Sequence, residues 1–431
     1  MQRVKVWMYI ASFTMILALL TGLPPVLDFP HNLRLLPGQE YVLRTGPLFT
    51  VYETGACTEG TILVNNGKRT TLQPTVIGQH KLQLRVLGLL TIRAASIDVV
   101  PEIMVMVGGH SVGILLSDTG LLVVRTASIQ GADGNTYRPA TDAGILPGDI
   151  LLKIGDADLV HPSQLEEQLT AYGSQQQPMP ILVQRGPKKV NLRVTPILGK
   201  DPQDSGYRYM LGLYLRDPIA GVGTLTFWDP VSDRYGALGH MITGDEREPL
   251  AVANGMIVPA YIHGIQPAAK GRPGEKLGLF EQGGQSLGSI DNNTSFGIFG
   301  NMKHRPMQTY YPNPIPVALA HEVRTGPAHI LTVIEGNTIE RFSVEILEIN
   351  RRFDSKGLVV RVSDPRLLDV TNGIVQGMSG SPIIQNGKLI GALTHVYVHN
   401  PERGFGVLAE WMVYQAGIPM RQEYEQMQPA A

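Results

Sequence analysis

Apolar and polar positions alternate along most of this chain. Runs such as YVLRTGPLFTVYE, KLQLRVLGLLTIRAASIDVV, ERFSVEILEI and GLVVRVS put hydrophobic residues at every second position. That is the period of a strand with one face buried. Gly, Pro, Asn and Asp punctuate these runs, so a mainly β chain with many tight turns is predicted. Two stretches break the period. Residues 6–23 (VWMYIASFTMILALLTGL) are almost continuously apolar. In SQLEEQLTAYG, Leu165 and Leu169 fall at i and i+4, the spacing of an amphipathic helix.

The apolar run follows Arg3 and Lys5 and is close to the shortest length that spans a bilayer. A signal-anchor helix within residues 1–27 is expected, with a cleaved signal peptide as the competing reading; no A-x-A site follows the run. The basic flank points inward, which would leave residues 28–431 outside the cytoplasm. Residues 28–100 read as a small β-rich domain without evident chemistry. Within 101–200, AGILPGDILLKIGDADL resembles the PDZ signature, carried by Ala143, Gly144, Gly148, Asp149 and Ile150. PDZ domains bind peptides by adding a strand to a sheet edge. The resemblance implies a carboxylate-binding loop at Gly113, Ile114, Leu115 and Leu116. Residues 201–208 read as a polar linker. Residues 209–425, with short strands between glycines and prolines, read as an all-β sandwich or a pair of barrels.

Composition narrows the chemistry. A chain of 431 residues exceeds one ordinary core, and 43% hydrophobic with 17% charged residues suits folded domains. The net charge of −1 and the lack of a basic stripe argue against nucleic acid as a partner. A single cysteine, Cys57, excludes a disulfide framework and a cysteine zinc site. No metal-ligand spacing or nucleotide fingerprint is present, so no cofactor is expected.

The stretch GIVQGMSGSPIIQNGKLIG (373–391) has two readings. It is a strain-relieving turn, or it presents Ser379 as a nucleophile with the N–H groups of Gly377 and Ser379 as an oxyanion hole. A serine nucleophile needs a base. His240, in YGALGHMITG, falls at the end of a strand beside glycine; His395, on LIGALTHVYVH, is its rival. The base needs an acceptor. Asp364 stands at the end of GLVVRVS, yet Ser-Asp-Pro there reads equally well as a turn or a helix N-cap.

Several segments together resemble the SpoIVB peptidase family of endospore formers. They are DPRLLDVTNGIVQGMSGSPIIQNGKLIGALTHVYVHNPERGFGVLAEWM, GVGTLTFWDP followed by YGALGHMITG, PGEKLG and the PDZ segment. The resemblance implies a trypsin-like double β-barrel with Ser379 as nucleophile, His240 as base and Asp364 as acid. It also implies export into the space between forespore and mother cell. There the enzyme would cleave itself and a membrane protein that restrains an intramembrane protease, releasing a late sigma factor. Asp364 falls close before Ser379, whereas trypsin-like enzymes carry the acid midway, and Asp291 is the alternative. Thr394, on the strand after the nucleophile, is a candidate to hold the acid. A non-catalytic PDZ scaffold and a broad quality-control protease are the other readings to be separated.

Overall fold

The structure, a computed structural model, describes residues 29–418 apart from 31, 47, 55–60, 67–68, 117–119, 156, 160–161, 187, 201–205, 217–218, 244–254 and 280–285. The expected anchor, residues 1–27, lies outside the described residues. No helix among the described residues is long and apolar enough to cross a membrane. The chain divides into two compact units after Ile103.

In the first unit, strands Asn32–Leu35, Leu90–Val99, Gly78–Val86 and Phe49–Thr54 form a sheet in that order. Strands Tyr41–Arg44, Arg69–Pro74 and Thr61–Asn65 form a second sheet. The alternation read from the sequence has a direct cause here: Leu82, Leu84, Ile97 and Val99 point to one side and are fully buried with Leu35 and Leu72.

The second unit begins with β1 (Met104–Val107) and β2 (Ser111–Leu116). The chain then leaves for an inserted module: β3 (Leu121–Thr126), β4 (Ile150–Ile154), helix α1 (Pro162–Ser174), β5 (Met179–Arg185), β6 (Lys188–Val194) and β7 (Leu213–Arg216). It returns as β8 (Ile219–Trp228), β9 (Arg234–Ala237), β10 (Gly255–Pro259), β11 (Glu275–Leu279) and β12 (Gly297–Asn301). The remainder is β13 (Gly326–Val333), β14 (Ile339–Ile349), β15 (Leu358–Val362), helix α2 (Pro365–Thr371), β16 (Pro382–Gln385), β17 (Lys388–Tyr397), β18 (Asn400–Leu408) and helix α3 (Ala409–Gln415).

Two β-assemblies carry the site. In a nine-stranded sheet, β2 lies between β8 and β10, β8 also pairs β1 and β9, and β9 pairs β12. Strands β13-β14-β15-β18-β17-β16 close into a barrel in that order. Its interior follows strand alternation: β14 turns Phe342, Val344 and Ile346 inward against Val360, Leu358 and Leu393.

The module differs from the sequence expectation at both ends. Residues 104–116 belong to the nine-stranded sheet, because Val112 and Ile114 pack with Leu225 and Ile257. Ile114 is in register with Gly221 on one side and Ile257 on the other. Gly113 to Leu115 are thus paired along both edges, and Leu116 along one, which leaves no free N–H row for a peptide carboxylate. The module's sheet runs β6-β5-β4-β3-β7, and its core continues to Leu211, Leu213 and Leu215. The stretch read as a linker contributes Tyr207–Met210, paired with Ile197–Lys200.

Asp149 explains the Gly-Asp of the module's signature. Its buried carboxylate accepts from Leu146 N–H (2.9 Å) and takes two bonds from the Arg185 guanidinium (both 2.7 Å). The bonds from Arg185 hold its carboxyl below the usual range, against the effect of burial. We predict that Asp149→Ala lowers the stability of the module by about 2 kcal/mol, the scale of charged hydrogen bonds, in thermal unfolding. Because the folded pKa is depressed, this contribution is full above the unfolded value and is lost as pH falls through the folded one, below 3.8.

Candidate active site

The loop 374–381, between α2 and β16, is pinned by strands from both assemblies. From β8, the Thr224 hydroxyl donates to Gly377 O (2.7 Å), Thr224 N–H to Ser379 O (2.9 Å) and the Thr226 hydroxyl to Gly380 O (2.7 Å). From β17, Leu393 N–H donates to Ser381 O (2.9 Å) and Leu393 O accepts from Gly380 N–H (2.7 Å). Gly380 has φ +93° and no room for a side chain: a Cβ there would sit 2.0 Å from Thr224 O. The carbonyls of 377, 379, 380 and 381 all accept hydrogen bonds. The N–H groups of Gly377 and Ser379 find no acceptor among the described residues. Two unpartnered donors beside a serine are what an oxyanion hole requires.

Ser379 and His240 line one cavity of about 440 Å³, together with Gly377, Thr394 and His395. His240 reaches it because the chain leaves β9 through two successive positive-φ residues, Leu238 (φ +67°) and Gly239 (φ +72°). A Cβ on Gly239 would stand 2.8 Å from Thr394 Cγ2, so glycine lets this turn sit against β17. The His240 and His395 rings lie 4.7 Å apart. His240 Nδ1 is 2.8 Å from Met241 O. A carbonyl only accepts, so the proton is on Nδ1 and the Nε2 lone pair is free. Burial holds His240 below its usual range, against the Met241 bond. Desolvation first, then the neighbouring His240 and Lys356, holds His395 low as well. The Ser379 hydroxyl itself donates to Thr394 O at 2.6 Å.

Neither expected acid is brought to His240. Asp364 caps α2, accepting from Arg366 N–H and from Ser343 N–H (3.1 Å each) and from the Arg366 guanidinium (3.3 Å). Burial pushes this carboxyl up, and the bonds from Ser343 and Arg366 outweigh it and hold it low. The capping reading of Ser-Asp-Pro therefore prevails locally, because Pro365 sets the first helical turn. Asp291 bonds Ser289, Arg234 and Asn301. Thr394 Oγ1 is buried without a partner among the described residues, so it holds no acid in this structure.

Sequence reading missed the braces. Thr224 and Thr226 in GTLTFW lie two apart, hence on one strand face, and that polar pair within an apolar run was the available signal. Lys276, in PGEKLG, is buried at 4% exposure behind the loop, where a lone lysine among glycine and leucine gave no hint of burial. Thr224→Val removes the donor to Gly377 O and leaves that buried carbonyl unpaired. We expect about 1–2 kcal/mol of destabilisation in thermal unfolding and a fall in kcat of roughly tenfold. Asp364→Ala, as loss of a cap, should lower the melting free energy by a similar ~1–2 kcal/mol.

The family profile described as SpoIVB peptidase S55 matches residues 207–413. No curated protein matches the chain. Solved structures that match include the active form of the Rv3671c protease from M. tuberculosis, with 18% identity over 49% of this chain and 78% of that one, at a TM-score of 0.27. Its inactive form matches with 17% identity over 46% and 84%, at a TM-score of 0.25. Two strands of the nine-stranded sheet, β1 and β2, precede the matched segment. Residues 207–413 belong to the SpoIVB peptidase S55 family, and the chain is a serine endopeptidase.

Proposed function

We propose that Ser379 is the acyl-forming nucleophile, His240 its base, and the N–H groups of Gly377 and Ser379 the oxyanion hole. The observation that carries this is that the N–H groups of Gly377 and Ser379 find no partner among the described residues, in a cavity shared with His240. Met241 O fixes the imidazole tautomer, the job an acid performs in a triad, and leaves Nε2 to take the Ser379 proton. The Ser379 hydroxyl must first leave Thr394 O. That exchange of one hydrogen bond costs about 1 kcal/mol, small beside the barrier lowering that catalysis supplies. The tetrahedral oxyanion forms between the two N–H groups. His240 then returns its proton to the leaving amine, and water hydrolyses the acyl-enzyme by the same route.

The wider role rests on the family resemblance. The peptidase is held by an N-terminal anchor and works outside the cytoplasm, in the space between forespore and mother cell. It cleaves itself near the N-terminus and then a membrane-bound regulator of an intramembrane protease, and so serves sporulation signalling. The inserted module supports a PDZ role: an antiparallel sheet, helix α1 and the Asp149 turn are present. Its edges are β6 and β7, so strand addition along β7 replaces the groove expected at Gly113–Leu116.

Reconstituting the full chain in vesicles and following its N-terminal mass tests the reading. Wild type should trim itself, Ser379→Ala should stay intact, and His240→Ala should slow trimming by several orders of magnitude. Equal trimming of wild type and Ser379→Ala would sink the assignment. Ser381, buried with an unpartnered hydroxyl among the described residues, is the control: Ser381→Ala should keep kcat within about threefold. The base acts when neutral and its pKa is lowered, so kcat/KM should rise with pH through an apparent value below 6.5 and be flat at neutral pH.

A further inference from the structure

Lys276 is buried at 4% exposure on β11, and among the described residues no carboxylate pairs with it. Its amine donates to Thr332 Oγ1 (2.8 Å) on β13 and Ser111 Oγ (3.3 Å) on β2, so it joins the barrel to the nine-stranded sheet. The groups facing the amine are these two hydroxyls. Desolvation alone pushes it from 10.5 to about 7, and no charged group on β2, β11, β13 or the 374–381 loop contributes. Burying an amine this way is unfavourable, and closing the fold does not require one; a methionine fills the same volume.

The stem of the side chain shows what the position does. A Cβ built on Gly377 would meet Lys276 Cβ and Cδ at 3.1 Å and Cγ at 3.2 Å. The chain preceding Gly377 is tied to the same strand: Lys276 N–H donates to Gln376 O (2.9 Å), and Gln376 N–H donates to Gly274 O (2.7 Å). Gly377 is therefore held between Thr224, which grips its carbonyl, and Lys276, which walls its Cα.

We infer that Lys276 is a positioning residue for the oxyanion-binding N–H groups, its stem backing Gly377 and its amine anchored to Thr332 and Ser111. This rests on the assignment of Ser379 as nucleophile. A displacement of about 1 Å in such a donor lowers rate by roughly a hundredfold.

The test compares wild type, Lys276→Ala, Lys276→Met and Thr332→Val, each as the full chain. It measures kcat and KM on a peptide ester and Ki for a peptidyl trifluoromethyl ketone, whose adduct carries an oxyanion. Ki is independent of how much of the sample is folded. For Lys276→Ala we expect kcat to fall about a hundredfold, Ki to rise in parallel and KM to stay within about threefold. Lys276→Met keeps the stem but loses the tie to Thr332 and Ser111, so Ki should rise about tenfold, short of the loss in Lys276→Ala. Thr332→Val unties the amine in a folded protein, and Ki should rise about tenfold. An unchanged Ki in Lys276→Ala overturns the inference; if that variant does not accumulate, an unchanged Ki in Thr332→Val does. A wild-type chain that fails to turn over the ester counts against the nucleophile assignment itself.

Discussion

The Thr224 and Thr226 hydroxyls, reaching across from one β-assembly to carbonyls of a loop on the other, are the interaction on which this site depends. A tight turn of small residues has many conformations of similar energy. Fixing its carbonyls on fully buried donors selects the one in which the Gly377 and Ser379 N–H groups have no partner among the described residues. Each bond contributes only about 1 kcal/mol net, yet removing one strands a buried carbonyl, so the loop resists alternatives more strongly than it is stabilised. Glycine at 380 is part of the same constraint, since a Cβ would collide with the very strand that supplies the donors.

That constraint explains the unusual path of the chain. Strand β8 must lie against the 374–381 loop, and its neighbour β2 comes from the far side of a module of about a hundred residues. In chain order β2 precedes β3 and β7 precedes β8, so the β2–β8 and β3–β7 ladders are built from the same two passages of chain. The strand that carries Thr224 is thus covalently continuous with an edge strand of the module.

Sequence reading carried some of this and not the rest, for physical reasons. Alternation at Phe342, Val344 and Ile346 or Leu82 and Leu84 gives the buried face of a strand without naming its partner strand. That is why Gly113–Leu116, a Gly-containing run after a turn, reads as a binding loop although Gly113 to Leu115 sit between two strands and Leu116 pairs with one. The Gly-Ser turn and the strand-end position of His240 were legible because both need backbone conformations that glycine supplies. Asp364 had two local readings of equal weight, and only the fold shows its oxygens turned to Ser343 and Arg366. Lys276 and the threonines act through contacts between groups 56, 153 and 165 residues apart in sequence, which no local pattern records.

The central claim is that two backbone N–H groups, left free by the clamping of their loop, receive the oxyanion. A crystal structure of the chain with a peptidyl trifluoromethyl ketone bound to Ser379 tests it most directly. The account predicts the hemiketal oxygen at hydrogen-bond distance, about 2.7–3.1 Å, from both Gly377 N and Ser379 N, with the Thr224 bond to Gly377 O intact. An adduct whose oxygen points away from those two nitrogens, or a loop that has to rotate a carbonyl off Thr224 to form it, would contradict the account.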